Sequence, residues 1–218
     1  LRRLAALARR HGILLIVDDI QVGCGRTGTF FSFESAGIRP DLVCLSKSIS
    51  GAGLPMALVL IRPDLDVWEP GEHNGTFRGN NLAFVAAAEA LRYWEDPGFA
   101  ASVAATSELL RRRLQEITER HPQALGSVRG RGMIQGIWFG VPDLAERVSR
   151  GAFERGVIVE TAGPEGEVLK LLPPLNVPHE TLEAGLRAIE ESLHAALEGL
   201  GLGAEESSPR HTAAGTVR

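Results

Sequence analysis

Two lysines, Lys47 and Lys170, stand among 23 basic residues, and every other positive side chain is arginine. The distinction is chemical: a guanidinium keeps its proton in a protein, whereas a lysine ammonium can be shifted to the neutral, nucleophilic amine. Lys47 closes the apolar run DLVCLSK (residues 41–47). An amine at the end of such a run can condense with a carbonyl compound. A second apolar run, ILLIVDDI (13–20), closes on Asp18 and Asp19, with Gln21 just beyond.

A carboxylate, an amide three residues later and an amine 29 residues further on can surround one planar cofactor. Pyridoxal phosphate draws electrons from a substrate only while its ring nitrogen stays protonated, and a buried aspartate beside that nitrogen keeps the proton there. Asp18 suits that role, and Gln21 can donate to the phenolate oxygen. Lys47 would hold the cofactor as a Schiff base and then act as general acid–base at the substrate α-carbon, a contribution of roughly 10²–10⁴ in rate. Taken singly, each residue has a plainer reading. Asp18-Asp19 also suits a solvated strand terminus, and two surface lysines can survive by chance.

A competing motif lies between these residues. Gly23-Cys24-Gly25-Arg26-Thr27-Gly28 matches GxGxxG after a strand, which would suggest a nicotinamide or flavin dinucleotide site. The context is wrong. TFFSFESAGIRPD (29–41) is not a clean amphipathic helix, and Asp18-Asp19 would repel a pyrophosphate.

The elements that must position the amine and the acids read as an α/β arrangement. LRRLAALARRHG has helical spacing and a stop at Gly12, and 13–20 and 41–47 read as strands buried on both faces. ALVLIR (57–62) reads as a third such strand after the turn SISGAGLP. In open α/β sheets the site gathers at the carboxyl ends of the strands, which is where Asp18, Gln21 and Lys47 fall. NNLAFVAAAEALRYWED reads as a helix capped by Asn80 or Asn81, and 99–120 as a long helix ended by His121-Pro122. Shorter elements follow: strands in GMIQGIWFG, VIVET and VLKLL, a helix stopped by Gly156, and a last helix over 179–197. These imply a partial large domain over 1–120, a small α+β domain over 121–199 and a disordered tail over 200–218.

Composition supports a soluble globular protein, with 44% hydrophobic and 23% charged residues over 218 positions. A net charge of −4 without a basic stripe argues against nucleic acid or a membrane surface. Cys24 and Cys44 form no CxxC pair, which fits a cytoplasmic setting. The start at Leu1, within an amphipathic helix, reads as a fragment whose front lies upstream.

IVDDIQVGCGRTG, PDLVCLSKSISGAGLP and NGTFRGNNLA, in this order, resemble the signature blocks of the class III, ornithine aminotransferase-like, pyridoxal-phosphate aminotransferases. The likeness runs from Leu1 to about Leu197. GEHNGTFRGNNLAF and FFSFESAGIRPD are most similar to the diaminobutyrate–2-oxoglutarate transaminases of ectoine biosynthesis. The resemblance implies the C-terminal part of a fold type I enzyme: part of the large parallel-sheet domain plus a small α+β domain. It implies Asp18 at the pyridinium nitrogen, Gln21 at the phenolic oxygen, Lys47 as the Schiff-base lysine, and Thr76 at the cofactor phosphate of a neighbouring subunit, hence a homodimer. Lys170 stands where relatives carry an arginine that clamps a substrate carboxylate, with Arg131 as a substitute candidate. The implied reaction passes an amino group from L-glutamate to L-aspartate 4-semialdehyde. Another ω-amino acid transaminase (acetylornithine, ornithine or 4-aminobutyrate) and a non-catalytic truncated piece are the alternatives.

Overall fold

The computed structural model describes residues 1–203. Helix α1 (Arg2–Arg10) leads through Gly12, at φ 63°, into β1 (Ile16–Asp18). Strand β2 (Leu42–Ser46) lies parallel to β1, and β3 (Ala57–Ile61) lies antiparallel to β2, giving a three-stranded sheet in the order β1-β2-β3. The parallel partner expected for residues 57–62 is therefore an antiparallel one. The physical reason is the connection: β2 and β3 are joined by a turn-rich segment with one short 3-10 turn at 47–50. A parallel return needs a crossover, usually through a full helix.

The first strand departs from expectation in a second way. Only three residues of the run 13–20 are extended, and Ile13, Leu14 and Ile16 are more than half exposed. β1 is an edge strand here, and no element of the described chain covers its outer face.

Helix α2 (Asn81–Leu91) is capped by Asn80, whose side chain accepts from Leu82 N and Ala83 N at 3.1 and 3.3 Å. Helix α3 (Pro97–Arg120) is capped by Asp96 through Gly98 N at 2.8 Å and ends before Pro122. The small unit has a wholly antiparallel sheet in the order β4-β5-β7-β6, from β4 (Ser127–Arg131), β5 (Ile134–Trp138), β6 (Glu160–Ala162) and β7 (Val168–Leu171). Helices α4 (Leu144–Glu154) and α5 (His179–Gly199) pack on it.

Strand β4 was not foreseen, because SVRGR has no apolar alternation. VIVET contributes only its last two residues to β6, and Ile158 is exposed. Two cores form. One gathers Cys24, Phe33, Val43, Leu45 and Ile49, and the other gathers β5, β7, α4, α5 and the second half of α3. Leu110, Leu114 and Ile117 of α3 belong to the second core, and no residue of this helix is among those gathered in the first. Among the described residues no helix is long and apolar enough to cross a membrane. The tail expected over 200–218 lies, from residue 204 onward, outside the described residues.

Candidate active site

The parallel register pairs Asp18 with Cys44, so Asp18 and Lys47 leave the sheet from adjoining carboxyl ends of β1 and β2. Neighbouring strands lie about 4.8 Å apart, which sets both residues on one edge. The burial expected of Asp18 is not met within this chain: it is exposed at the open end of the edge strand β1, and one carboxylate oxygen accepts Ile20 N at 3.0 Å. Asp19 points the other way. It is 1% exposed and accepts Ser32 N at 2.9 Å and the Ser32 hydroxyl, tying the following loop to the sheet. The two acids thus divide into one presented and one structural carboxylate.

Lys47 holds a left-handed backbone, φ 51°, directly after the extended Ser46. A non-glycine residue in this region costs of order 1–2 kcal/mol and persists only where the surroundings impose it. Here they do. Ser46 Oγ donates to Met56 O at 2.7 Å, Ile49 and Ser50 are buried, and Gly51 abuts Ala90 of α2. Gln21 opens the turn after Asp18 and is partly exposed.

The loop carrying GxGxxG serves packing between the two units rather than a pyrophosphate. A Cβ at Gly25, whose φ is 87°, would lie 2.0 Å from Trp94 Cζ2. Arg26 reaches across: its guanidinium donates to Met133 O at 3.2 Å and to Pro173 O, while Met133 N returns a bond to Arg26 O at 2.7 Å. Burial pushes the Arg26 pKa down, which marks the guanidinium as largely desolvated. Gly132 meets the same segment, since a Cβ there would lie 2.5 Å from Arg26 O. A cavity of about 320 Å³ opens at this seam, lined by Cys24, Arg26, Ser48, Trp94, Phe99 and Pro174. Burial, and then Asp19, push the Cys24 thiol up to about 11, so it is not a nucleophile at neutral pH.

Arg131 does not join the lysines as a carboxylate ligand. Its guanidinium donates to Ser32 O and to Ser35 Oγ at 3.2 Å, so it is spent as a second tie between the units. Thr76 lies in an exposed turn beside the fully exposed Phe77, and the hydrogen bonds of that loop are local, such as Arg78 N to Gly75 O at 3.0 Å. The structure does not bring Thr76 to Lys47 within this chain.

Lys170 pairs with a residue that sequence reasoning missed. Glu160 faces Lys170 across the β6–β7 ladder, with Lys170 Nζ 2.8 Å from Glu160 Oε2. The Lys170 ammonium, and behind it that of Lys47, hold the Glu160 carboxyl below its ordinary range. The available signal was the hairpin spacing ETAGPEGEVLK, which sets Glu160 opposite Lys170 once antiparallel pairing is assumed.

Pyridoxal phosphate suits the donor set at the β1 and β2 ends. Asp18 offers a carboxylate with an oxygen outside hydrogen bonds among the described residues, to meet a protonated ring nitrogen. Gln21 offers an amide, and Lys47 an amine on a rigid turn.

Residues 1–193 match the family model described as aminotransferase class-III. The chain is 54% identical over 198 residues to a diaminobutyrate–2-oxoglutarate transaminase of Halalkalibacterium halodurans, covering 91% of this chain and 46% of that protein. A protein of the same name from Bordetella parapertussis is 57% identical over 199 residues, covering 90% and 46%. The chain spans about half the length of the curated relatives it matches. Among solved structures, the N-acetylornithine aminotransferase of Stenotrophomonas maltophilia superposes with a TM-score of 0.78 at 30% identity, over 91% of this chain and 51% of that one. The ornithine aminotransferase of Toxoplasma gondii, described with pyridoxal phosphate partly occupying its active site, gives 0.79 at 30%, over 91% and 47%. By this family match, which takes in both the strand ends that carry Asp18 and Lys47 and the hairpin that carries Lys170, the chain belongs to the class III aminotransferases.

Proposed function

We propose that the protein carrying this chain transfers an amino group from L-glutamate to L-aspartate 4-semialdehyde, yielding 2-oxoglutarate and L-2,4-diaminobutyrate. The observation that carries the reading is the placement of Lys47, on a strained turn, beside Asp18 at the carboxyl ends of two parallel strands. Class III aminotransferases depend on pyridoxal phosphate. When bound, the cofactor supplies an electron sink for the pair left on the substrate carbon. The remaining work falls to the chain. Lys47 Nζ would hold the cofactor and, once the substrate amine has displaced it, the freed amine would move the proton at the nitrogen-bearing carbon. Asp18 would accept a hydrogen bond from the ring nitrogen and keep it protonated, and Gln21 would donate to the phenolic oxygen. Lys170 attracts a substrate carboxylate as a point charge rather than a bidentate fork.

The relatives named for diaminobutyrate, at 54–57% identity, support this substrate pair over the acetylornithine and ornithine substrates named for structures at 30%. The exposed turn of Thr76 and Phe77 supports a homodimer in which Thr76 serves the neighbouring subunit's cofactor phosphate. The free thiols of Cys24 and Cys44 are consistent with a cytoplasmic setting, and the relatives' diaminobutyrate names support a role in ectoine biosynthesis.

An amino-donor and aldehyde panel tests the substrate assignment: glutamate with aspartate 4-semialdehyde is expected to outrun ornithine, acetylornithine and 4-aminobutyrate as donors. Lys47→Ala tests the site. The variant should lose the absorption band of the lysine-bound cofactor near the visible edge, together with turnover. Retained turnover would remove Lys47 from the mechanism.

A further inference from the structure

Asp19 is an acid hidden from water next to the presented Asp18, and the transfer chemistry assigns it no task. It is 1% exposed, whereas Asp18 is exposed. A buried carboxylate costs free energy unless donors replace the water it has lost. Here a single residue supplies them: Ser32 N donates to one oxygen at 2.9 Å, and the Ser32 hydroxyl donates to the other. Ser32 is also held from its far side. Its carbonyl accepts from the Arg131 guanidinium of β4, which donates in addition to Ser35 Oγ at 3.2 Å. The Asp19 main chain is equally engaged. Its N–H donates to Cys44 O at 3.0 Å, and its carbonyl accepts Gly23 N at 2.9 Å. A Cβ at Gly23 would lie 2.7 Å from that carbonyl, so the turn closes tightly on residue 19. Asp19 is thereby fixed to β2, to the turn after it and, through Ser32, to β4 of the small unit.

Asp18 has no such support. β1 is a three-residue edge strand, and among the described residues the Asp18 carboxylate accepts from Ile20 N alone. Successive side chains leave a strand on opposite faces, so the backbone direction that buries Asp19 is the one that presents Asp18. Releasing Asp19 from Ser32 frees the strand end to rotate, and the Asp18 carboxylate turns with it.

We propose that Asp19 is a positioning residue of the amino-transfer reaction: locked on Ser32, it sets the direction in which Asp18 leaves the strand. The inference rests on the transaminase reading above and adds a residue that acts only through Asp18.

A double-substitution cycle in the full protein containing this chain separates this role from a merely structural one. Asp19→Ala is expected to raise the dissociation constant of pyridoxal phosphate by about tenfold to about a hundredfold, the worth of one charge-assisted hydrogen bond. It should lower kcat by about a hundredfold, the usual cost of a misplaced group. The KM for the amino donor should change little, because the donor's own contacts stay in place. Asp19→Asn can keep both contacts, its amide oxygen accepting Ser32 N and its NH2 donating to the hydroxyl, and it should recover most of both losses. In an Asp18→Asn background the carboxylate to be aimed is gone, so Asp19→Ala should add no more than about twofold to either loss.

Losses that multiply in the double variant overturn the proposal, since Asp19 would then act on the fold rather than on Asp18. An Asn variant as impaired as the Ala variant also overturns it, because charge rather than contact would be the cause. Wild-type cofactor affinity in Asp19→Ala does the same. If Asp19→Ala does not fold, Ser32→Ala takes its place in the cycle, since it removes the hydroxyl and leaves the N–H bond. A rise of about tenfold in the dissociation constant is expected there, and an unchanged value refutes the proposal. Wild-type affinity and turnover in Asp18→Asn would bring down the site assignment together with this inference. With the dependence on Asp18 intact, the cycle judges this inference alone.

Discussion

Replacing Arg26 by leucine tests whether the two units are held at a fixed separation by a desolvated guanidinium. The side chain donates to Met133 O and Pro173 O, carbonyls of the small unit that would otherwise face an apolar seam. Charge-assisted hydrogen bonds are worth about 1.5–3 kcal/mol each, and an abandoned buried carbonyl about 1–3 kcal/mol. The main-chain bond from Met133 N to Arg26 O survives the substitution, and water can enter the widened seam. The expected loss is therefore about 3 kcal/mol rather than the full total of both bonds. Denaturant unfolding of the holoenzyme should show it as a lower midpoint with an unchanged slope. Because Pro173 follows Lys170 so closely, the variant should also lose about 10²-fold in kcat/KM, the usual cost of misplacing a binding group by an ångström. Arg26→Lys, with one donor direction at a time, should recover about half of the stability. A stability change within about 0.5 kcal/mol, the range of neutral surface substitutions, would refute the assignment of Arg26 as the tie.

Two further perturbations separate packing from titration. Gly25→Ala should cost about 2–4 kcal/mol, combining left-handed strain with displacement of Trp94 and a shift in tryptophan emission. Gly28→Ala, also at positive φ but with nothing within 4 Å of the added carbon, should cost only about 1 kcal/mol; equal melting losses would contradict the packing account. For His121 the sign follows from its surroundings. Burial lowers its pKa and the neighbouring Glu190 opposes this, while His194 and Arg120 reinforce it. The fold thus favours the neutral ring, so this contribution is complete above the ordinary value of 6.5 and is lost as pH falls through the lower folded value. His121→Asn should flatten the decline in melting temperature on the acid side of pH 6.5; an identical decline in both proteins would rule this histidine out as its source.

The chemistry was legible in the sequence because it rests on residue types that few tasks require. A lysine retained in an arginine-biased chain, and an acid and an amide at the end of an apolar run, need only strand periodicity to be placed at one sheet edge. The helices were largely legible, since Asn80 and Pro122 act locally, but Asp96, read as the end of the preceding helix, instead caps α3 after α2 has stopped at Leu91. Strand β4 was not, because SVRGR becomes a strand through its ladder with β5 rather than through any pattern of its own.

Local interactions, read directly from residue order, determined where the helices start and stop and placed Asp18 and Lys47 at the ends of apolar runs. Tertiary structure alone decided what the arginines and acids do. Asp19 turns inward to Ser32, Arg131 ties to Ser32 and Ser35, Arg26 spans the seam, and Glu160 pairs with Lys170. A charged side chain takes its role from whichever donors, acceptors and low-dielectric surroundings the folded chain brings within a few ångströms, and those partners lie up to 147 residues away.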